Sequence, residues 1–256
     1  VIAARDAARA ARAEILIAVG GGSVVQGTRA VAIALSEKQP IEELATIYPV
    51  DGRPVSPRLN ARKLPIINVL TVGTSAQNRS GSPLKLPGGQ HRLELYDPKT
   101  RPVAIFWDTA ALMTAPIGMV RDSAGAIFWR AAMNVGYERA PPLVDFNRRH
   151  VFKMMRSVLP RLEAPDAEVR LDLCVATFLQ NRDLDDGGQR VNHWPSKVTY
   201  AFAAGLFHRH DHVSQGAANA AFTSTAIRLL GHLNPEEMCR IAEAMGVWSA
   251  SDPKGE

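Results

Sequence analysis

Apolar residues along the chain follow two periods, and the change between them falls near Leu112. Before that point, short apolar runs bounded by glycine, proline and charge read as strands at 15–19, 66–70 and 103–107, with an alternating one at 92–96. Residues 1–14 set alanine between Arg, Asp and Glu at helical spacing, and Val24, Val25, Val31 and Ile33 belong to an amphipathic helix from about 24 to 35. The stretch 37–63, rich in proline and charge, reads as a loop around a short helix at 40–47. Beyond Leu112 the period is helical, with segments at 119–135, 144–159, 166–182, 195–207, 216–231 and 235–246. Pro141-Pro142, Pro160 and the polar run 183–188 separate them. The pattern predicts an α/β domain over 1–113 and an all-helical domain over 114–256.

The first strand runs into the helix through Gly20-Gly21-Gly22-Ser23. Glycines let a ligand approach the backbone without meeting a Cβ, and Ser23 is placed to act as N-cap. The helix then aims its positive dipole end at whatever anion the exposed N–H groups hold, with a nucleotide pyrophosphate the natural guest. The turn is not the G-x-G-x-x-G fingerprint, because Val25 stands where a third spaced glycine is needed. A tight turn that packs a helix on a sheet is the structural alternative.

Further segments follow in order: Leu70-Thr71-Val72-Gly73-Thr74, Val103-Ala-Ile-Phe-Trp-Asp108, Thr114-Ala-Pro-Ile-Gly-Met-Val-Arg-Asp122 and Gln215-Gly216-Ala217-Ala218-Asn219-Ala220. Together with the glycine turn, this series resembles the iron-containing alcohol dehydrogenase superfamily, with its dehydroquinate synthase-like fold. The resemblance implies that NAD or NADP is bound by Gly20, Gly21, Gly22, Ser23, Gln26, Thr71, Gly73 and Thr74. In the family's pattern Gln26 is an Asp and Arg29 a Lys. The resemblance also implies family segments before Val1 and after Trp248, so the chain reads as the middle of a longer protein.

The family holds iron or zinc with an Asp, a His four residues later, and two His from later helices. Here Asp122 is followed at that spacing by Ala126, Gln215 replaces one His, and no His occurs at 196–200. No metal is therefore expected. Two substitutes present themselves: the alternating His208, His210 and His212, which also read as a polar loop, and His193 beside Trp194-Pro195. Asp122 reads either as an active-site carboxylate or as a helix N-cap. Without a Lewis acid, a carbonyl substrate needs hydrogen-bond donors, for which Tyr200, His208, His212 and Arg29 are candidates. Asp122, Tyr200 and His212 form the expected catalytic set.

The composition, 46% hydrophobic and 21% charged over 256 residues, is that of an ordinary soluble protein. The net charge of +5 comes from scattered arginines, which argues against a nucleic-acid groove. Cys174 and Cys239 suggest neither a disulfide framework nor a thiolate metal site, and fit a reducing cytoplasm. No apolar run has membrane-spanning length. The expectation is an NAD(P)-dependent alcohol dehydrogenase or carbonyl reductase without metal, acting as a homodimer on a small-molecule substrate. A catalytically silent nucleotide-binding homologue, serving as partner subunit or scaffold, is the alternative.

Overall fold

Among the described residues, strands occur only in the first half of the chain. In a computed structural model, residues 1–85, 92–183, 185–186 and 194–252 are described. They divide into two units, Val1–Thr114 and Ala115–Glu256.

The first unit contains α1 (Ile2–Ala10), β1 (Leu16–Gly20), α2 (Gly22–Ser36), β2 (Ile66–Leu70), β3 (Gly81–Lys85), β4 (Arg92–Tyr96), β5 (Ala104–Phe106) and α3 (Thr109–Met113). β1, β2 and β5 form a parallel sheet in the order β1-β2-β5, with Leu16 opposite Ile66 and Ile67 opposite Ala104. β3 and β4 pair antiparallel, Gly81 opposite Tyr96. The alternation of strand side chains sorts the parallel sheet into two faces. Ala18, Ile66, Asn68 and Leu70 are buried, while Ile17, Val19 and Phe106 are exposed. Behind α2, Ala30 and Ile33 join Leu44, Ala45, Leu59 and Leu95 in one apolar cluster, which draws the loop 37–63 onto the helix.

β3 departs from the sequence expectation. Its Pro83 and flanking polar residues hide the strand from a periodicity test, yet a proline is tolerated in a two-stranded ribbon. The expected helix at 40–47 is a single 3₁₀ turn, Ile41–Leu44. That loop is anchored by the fully buried Lys63, whose amine meets Glu37 and lies 3.2 Å from Asp97 Oδ2.

The second unit is helical: α4 (Ile117–Val135), α5 (Pro142–Val158), α6 (Ala167–Arg182), α7 (Trp194–Arg209), α8 (Gln215–Leu230) and α9 (Pro235–Met245). Local chemistry sets the ends. Pro142 and Pro235 sit in first turns, Asp166 and Ser214 accept from backbone N–H groups as caps, and Gly246 closes α9 at φ +73°. α4 packs against all five other helices and buries Val120, Ala124, Ile127 and Ala131. A buried ion pair, Arg148 to Asp183 at 3.0 Å, ties α5 to the end of α6. Cys174 lies in this core, where burial pushes its thiol up to about 12, so it is inert at neutral pH. Among the described residues no helix is long and apolar enough to cross a membrane.

Candidate functional site

β1 ends at Gly20, whose φ of +154° belongs to glycine, and the chain enters α2 at once. The helix starts at Gly22, with Gly21 at the N-cap and no side chain capping it. Ser23 is therefore inside the helix, exposed in its first turn, and the N-cap role expected of it is corrected. A helix N-terminus left without a side-chain cap keeps its first N–H groups free of one competing acceptor, and the dipole adds to their attraction for an anion.

The second glycine-flanked segment comes to the same place. Thr71 N–H donates to Gly20 O at 3.2 Å, continuing the β1–β2 pairing past the strand ends. A Cβ built on Gly21 would stand 3.0 Å from Val72 Cγ1, and one on Gly22 would stand 2.8 Å from Thr74 Oγ1. Gly20, Gly21, Gly22, Ser23, Thr71, Gly73 and Thr74 thus form one continuous backbone edge at the C-terminal ends of two parallel strands. Ligands of open α/β sheets bind at such edges. The residues fit a dinucleotide pyrophosphate in that glycines at the uncapped start of α2 put no Cβ between the backbone N–H groups and a phosphate. Gln26 follows one helical turn after Gly22, half-buried on the same side of α2.

Arg29 continues that helix face, and it is not a substrate donor. It is 1% exposed, and its guanidinium donates to Ala76 O and, at 2.7 Å, to Gly81 O. Burial, with repulsion from Arg79, lowers its pKa to about 10. Both outer nitrogens are spent on clamping the chain that follows Thr74. The clamp is reinforced where Asn68 donates to Gln77 O at 2.8 Å and Trp107 Nε1 donates to Gln77 Oε1 at 2.9 Å. Sequence reasoning missed Asn68 and Gln77. The available signal was a lone amide in the middle of an apolar strand, which burial forces to find a partner.

In the helical unit, Asp122 lies in the second turn of α4, so the N-cap alternative is corrected: the helix starts at Ile117 behind Pro116. Ser214 Oγ donates to Asp122 Oδ1 at 2.8 Å and accepts from Ala217 N–H at 3.1 Å. The following turn is tight. A Cβ on Gly216 would stand 2.3 Å from Asp122 O, and Gly125 faces Gly216 Cα. Asp122 and the start of α8 are therefore brought together, as the expected site required, but the carboxylate is engaged by Ser214. Ala126 offers no donor and Gln215 an exposed neutral amide. Positions 122, 126 and 215 do not supply the donor set of an iron or zinc site.

The other expected site residues disperse. Tyr200, 43% exposed, stacks on Trp129 at 6.1 Å and meets Phe207 edge-on. Trp129 is seven residues along α4 from Asp122, about 10 Å of helical rise. His208 is the penultimate residue of α7, against Phe207, so the alternating histidines are part helix and part turn rather than one loop. His212 is exposed in the turn before α8, its ring 5.8 Å from that of His210. The structure does not join Asp122, Tyr200 and His212 into one hydrogen-bonded set. His193 lies outside the described residues. Among the described residues no group of three or more His, Cys, Asp or Glu gathers at metal-binding distance.

Comparison with known proteins bears on the fold. Residues 1–109 match the family described as iron-containing alcohol dehydrogenase. Among solved structures, NADH-dependent butanol dehydrogenase A of Thermotoga maritima superposes with a TM-score of 0.78 at 20% identity, covering 97% of this chain and 60% of that one. The iron-containing alcohol dehydrogenase of Thermococcus thioreducens gives 0.75 at 19% identity, covering 97% and 63%. Sulfoacetaldehyde reductase of Bifidobacterium kashiwanohense, solved with NAD+, gives 0.72 at 18% identity, covering 96% and 64%. The chain thus spans under two thirds of the length of these relatives. No curated protein matches the sequence.

Proposed function

For a chain with the fold of the iron-containing alcohol dehydrogenases, we propose an NAD(P)-dependent alcohol oxidoreductase that interconverts a small alcohol and its carbonyl compound without a metal. The observation that carries this reading is the glycine edge formed by Gly20, Gly21 and Gly22 beside Thr71 and Thr74, where α2 begins without a side-chain cap at its N-terminus. The dinucleotide, when bound, supplies the hydride chemistry. The chain's own work is to hold the pyrophosphate at the N-terminus of α2. Arg29, Asn68 and Trp107 keep the segment after Thr74 in place against it.

Within the helical unit, the reading assigns substrate contact to the residues around Gln215 and Asp122, which carry no metal ligand set, with Tyr200 and His212 as further donors. Such groups polarise a carbonyl less than a cation does, so slow turnover is the expected consequence. A homodimer in the cytoplasm belongs to the same proposal and rests on the family resemblance. The second reading, a nucleotide-binding homologue without turnover, is favoured by the Ser214 hydrogen bond that engages Asp122.

Oxidation of NADH and NADPH, followed with short-chain aldehydes in excess EDTA, separates the two. Turnover that survives the chelator supports the metal-free oxidoreductase. Saturable binding without turnover supports the scaffold, and restoration of activity by iron or zinc overturns metal independence.

A further inference from the structure

The parallel sheet of the first unit presents one face that is both apolar and open. Its register sets Ile17, Ile67 and Ala104 side by side across β1, β2 and β5, and Val19, Val69 and Phe106 in the next row. Partners in a parallel ladder share a face, and residues two apart on a strand return to it, so the six side chains make one surface. Ile17 is 60% exposed, Val19 59% and Phe106 53%, with Ile67, Val69 and Ala104 half-buried among them. None of the six carries a polar group. The opposite face, with Ala18, Ile66, Asn68 and Leu70, is buried under α2.

A strand with one face in water alternates apolar and polar residues, as β4 does with Arg92, Leu93, Glu94 and Leu95. β1 and β2 instead read Leu-Ile-Ala-Val and Ile-Ile-Asn-Val-Leu, the near-continuous apolar runs of strands covered on both sides. All-parallel sheets occur almost only with helices on both faces, so the pattern of these strands calls for a second layer.

The dimensions select its occupant. Three strands about 4.8 Å apart span about 10 Å, which is about the diameter of one α-helix with its side chains. A footprint that narrow is far below the ~800 Å² per partner that a stable dimer buries, which argues against a second copy. The solved structures that share this fold extend well past the matched part, which is 60%, 63% and 64% of their lengths, so the fold has further polypeptide to lay there. We propose that the open face seats an amphipathic helix of the same polypeptide, from a segment outside residues 1–256. The apolar stripe of that helix rests on Ile17, Val19 and Phe106 without any charged contact, and this holds whatever reaction the protein performs.

The protein at its native length tests this. In hydroxyl-radical footprinting of the unsubstituted protein, Phe106 should be labelled at least about fivefold more slowly than Phe146, which is 70% exposed on α5. Equal labelling means that the face is wet and overturns the proposal. Photocrosslinking from a Phe106→benzoylphenylalanine variant identifies the occupant: a cross-link within one molecule to a segment outside residues 1–256 is expected, and a cross-link to a second copy, or none outside those residues, overturns it. Val19→Lys puts a charge under the helix and should lower Tm by roughly 4–10 °C, whereas an unchanged Tm contradicts the covered face. If either variant fails to fold, footprinting of the unsubstituted protein still decides.

Discussion

The glycine turn of the α/β unit and the Gly216 turn of the helical unit are both places where a Cβ would meet a close neighbour, yet they use the space differently. At Gly21 and Gly22 the nearest neighbours are side-chain atoms, Val72 Cγ1 and Thr74 Oγ1, and the helix start carries no side-chain cap. At Gly216 the neighbour is backbone, Asp122 O, and the helix start is capped by Ser214, which also engages Asp122. The first arrangement leaves the helix start without a side-chain acceptor. The second uses its polar groups to join two helices, so a glycine before a helix marks a binding edge only when its N–H groups are not already capped from within the chain.

Substitution sharpens this contrast. Gly216→Ala places a methyl group 2.3 Å from a carbonyl oxygen that α4 cannot move cheaply. A loss of about 3 kcal/mol or more in unfolding free energy is expected by urea denaturation. Gly21→Ala, judged by the same assay, should cost far less, because Val72 can shift by a few tenths of an ångström. Equal losses at the two glycines would break the comparison.

Arg29→Met comes next. It leaves Ala76 O and Gly81 O without their donor, for an expected loss of about 2 kcal/mol. The same variant should weaken NAD(P)H binding, since the freed segment begins beside Thr74. Destabilisation with unchanged affinity would mean that the clamp does not serve the glycine edge.

Much of this contrast was legible in the sequence. Strands at 66–70 and 92–96 and the six long helices follow from apolar period and from Pro141, Pro142 and Pro160, because those signals are local. The closeness of Gly20–Gly22 to Thr71–Thr74 was carried by the resemblance and is built by parallel pairing of β1 with β2. What stayed hidden depends on long-range partners. Arg29 looks like a donor to a substrate carbonyl until two carbonyls 47 and 52 residues away claim it. Asp122 looks like a cap until α4 is seen to start five residues earlier. Tyr200 and Asp122 share a unit, but their separation along α4 is a matter of helix register that periodicity does not encode.

The central claim, that a dinucleotide edge persists where a metal donor set does not, is tested most directly by fluorescence titration of NADH and NADPH into the intact protein and its Gly21→Val variant, both in EDTA. The account predicts saturable binding of at least one nucleotide to the parent, unaffected by the chelator, and at least tenfold weaker binding to the folded variant, the loss expected when a side chain intrudes between backbone and phosphate. Equal affinity in the two proteins, or binding that disappears on chelation, would contradict it.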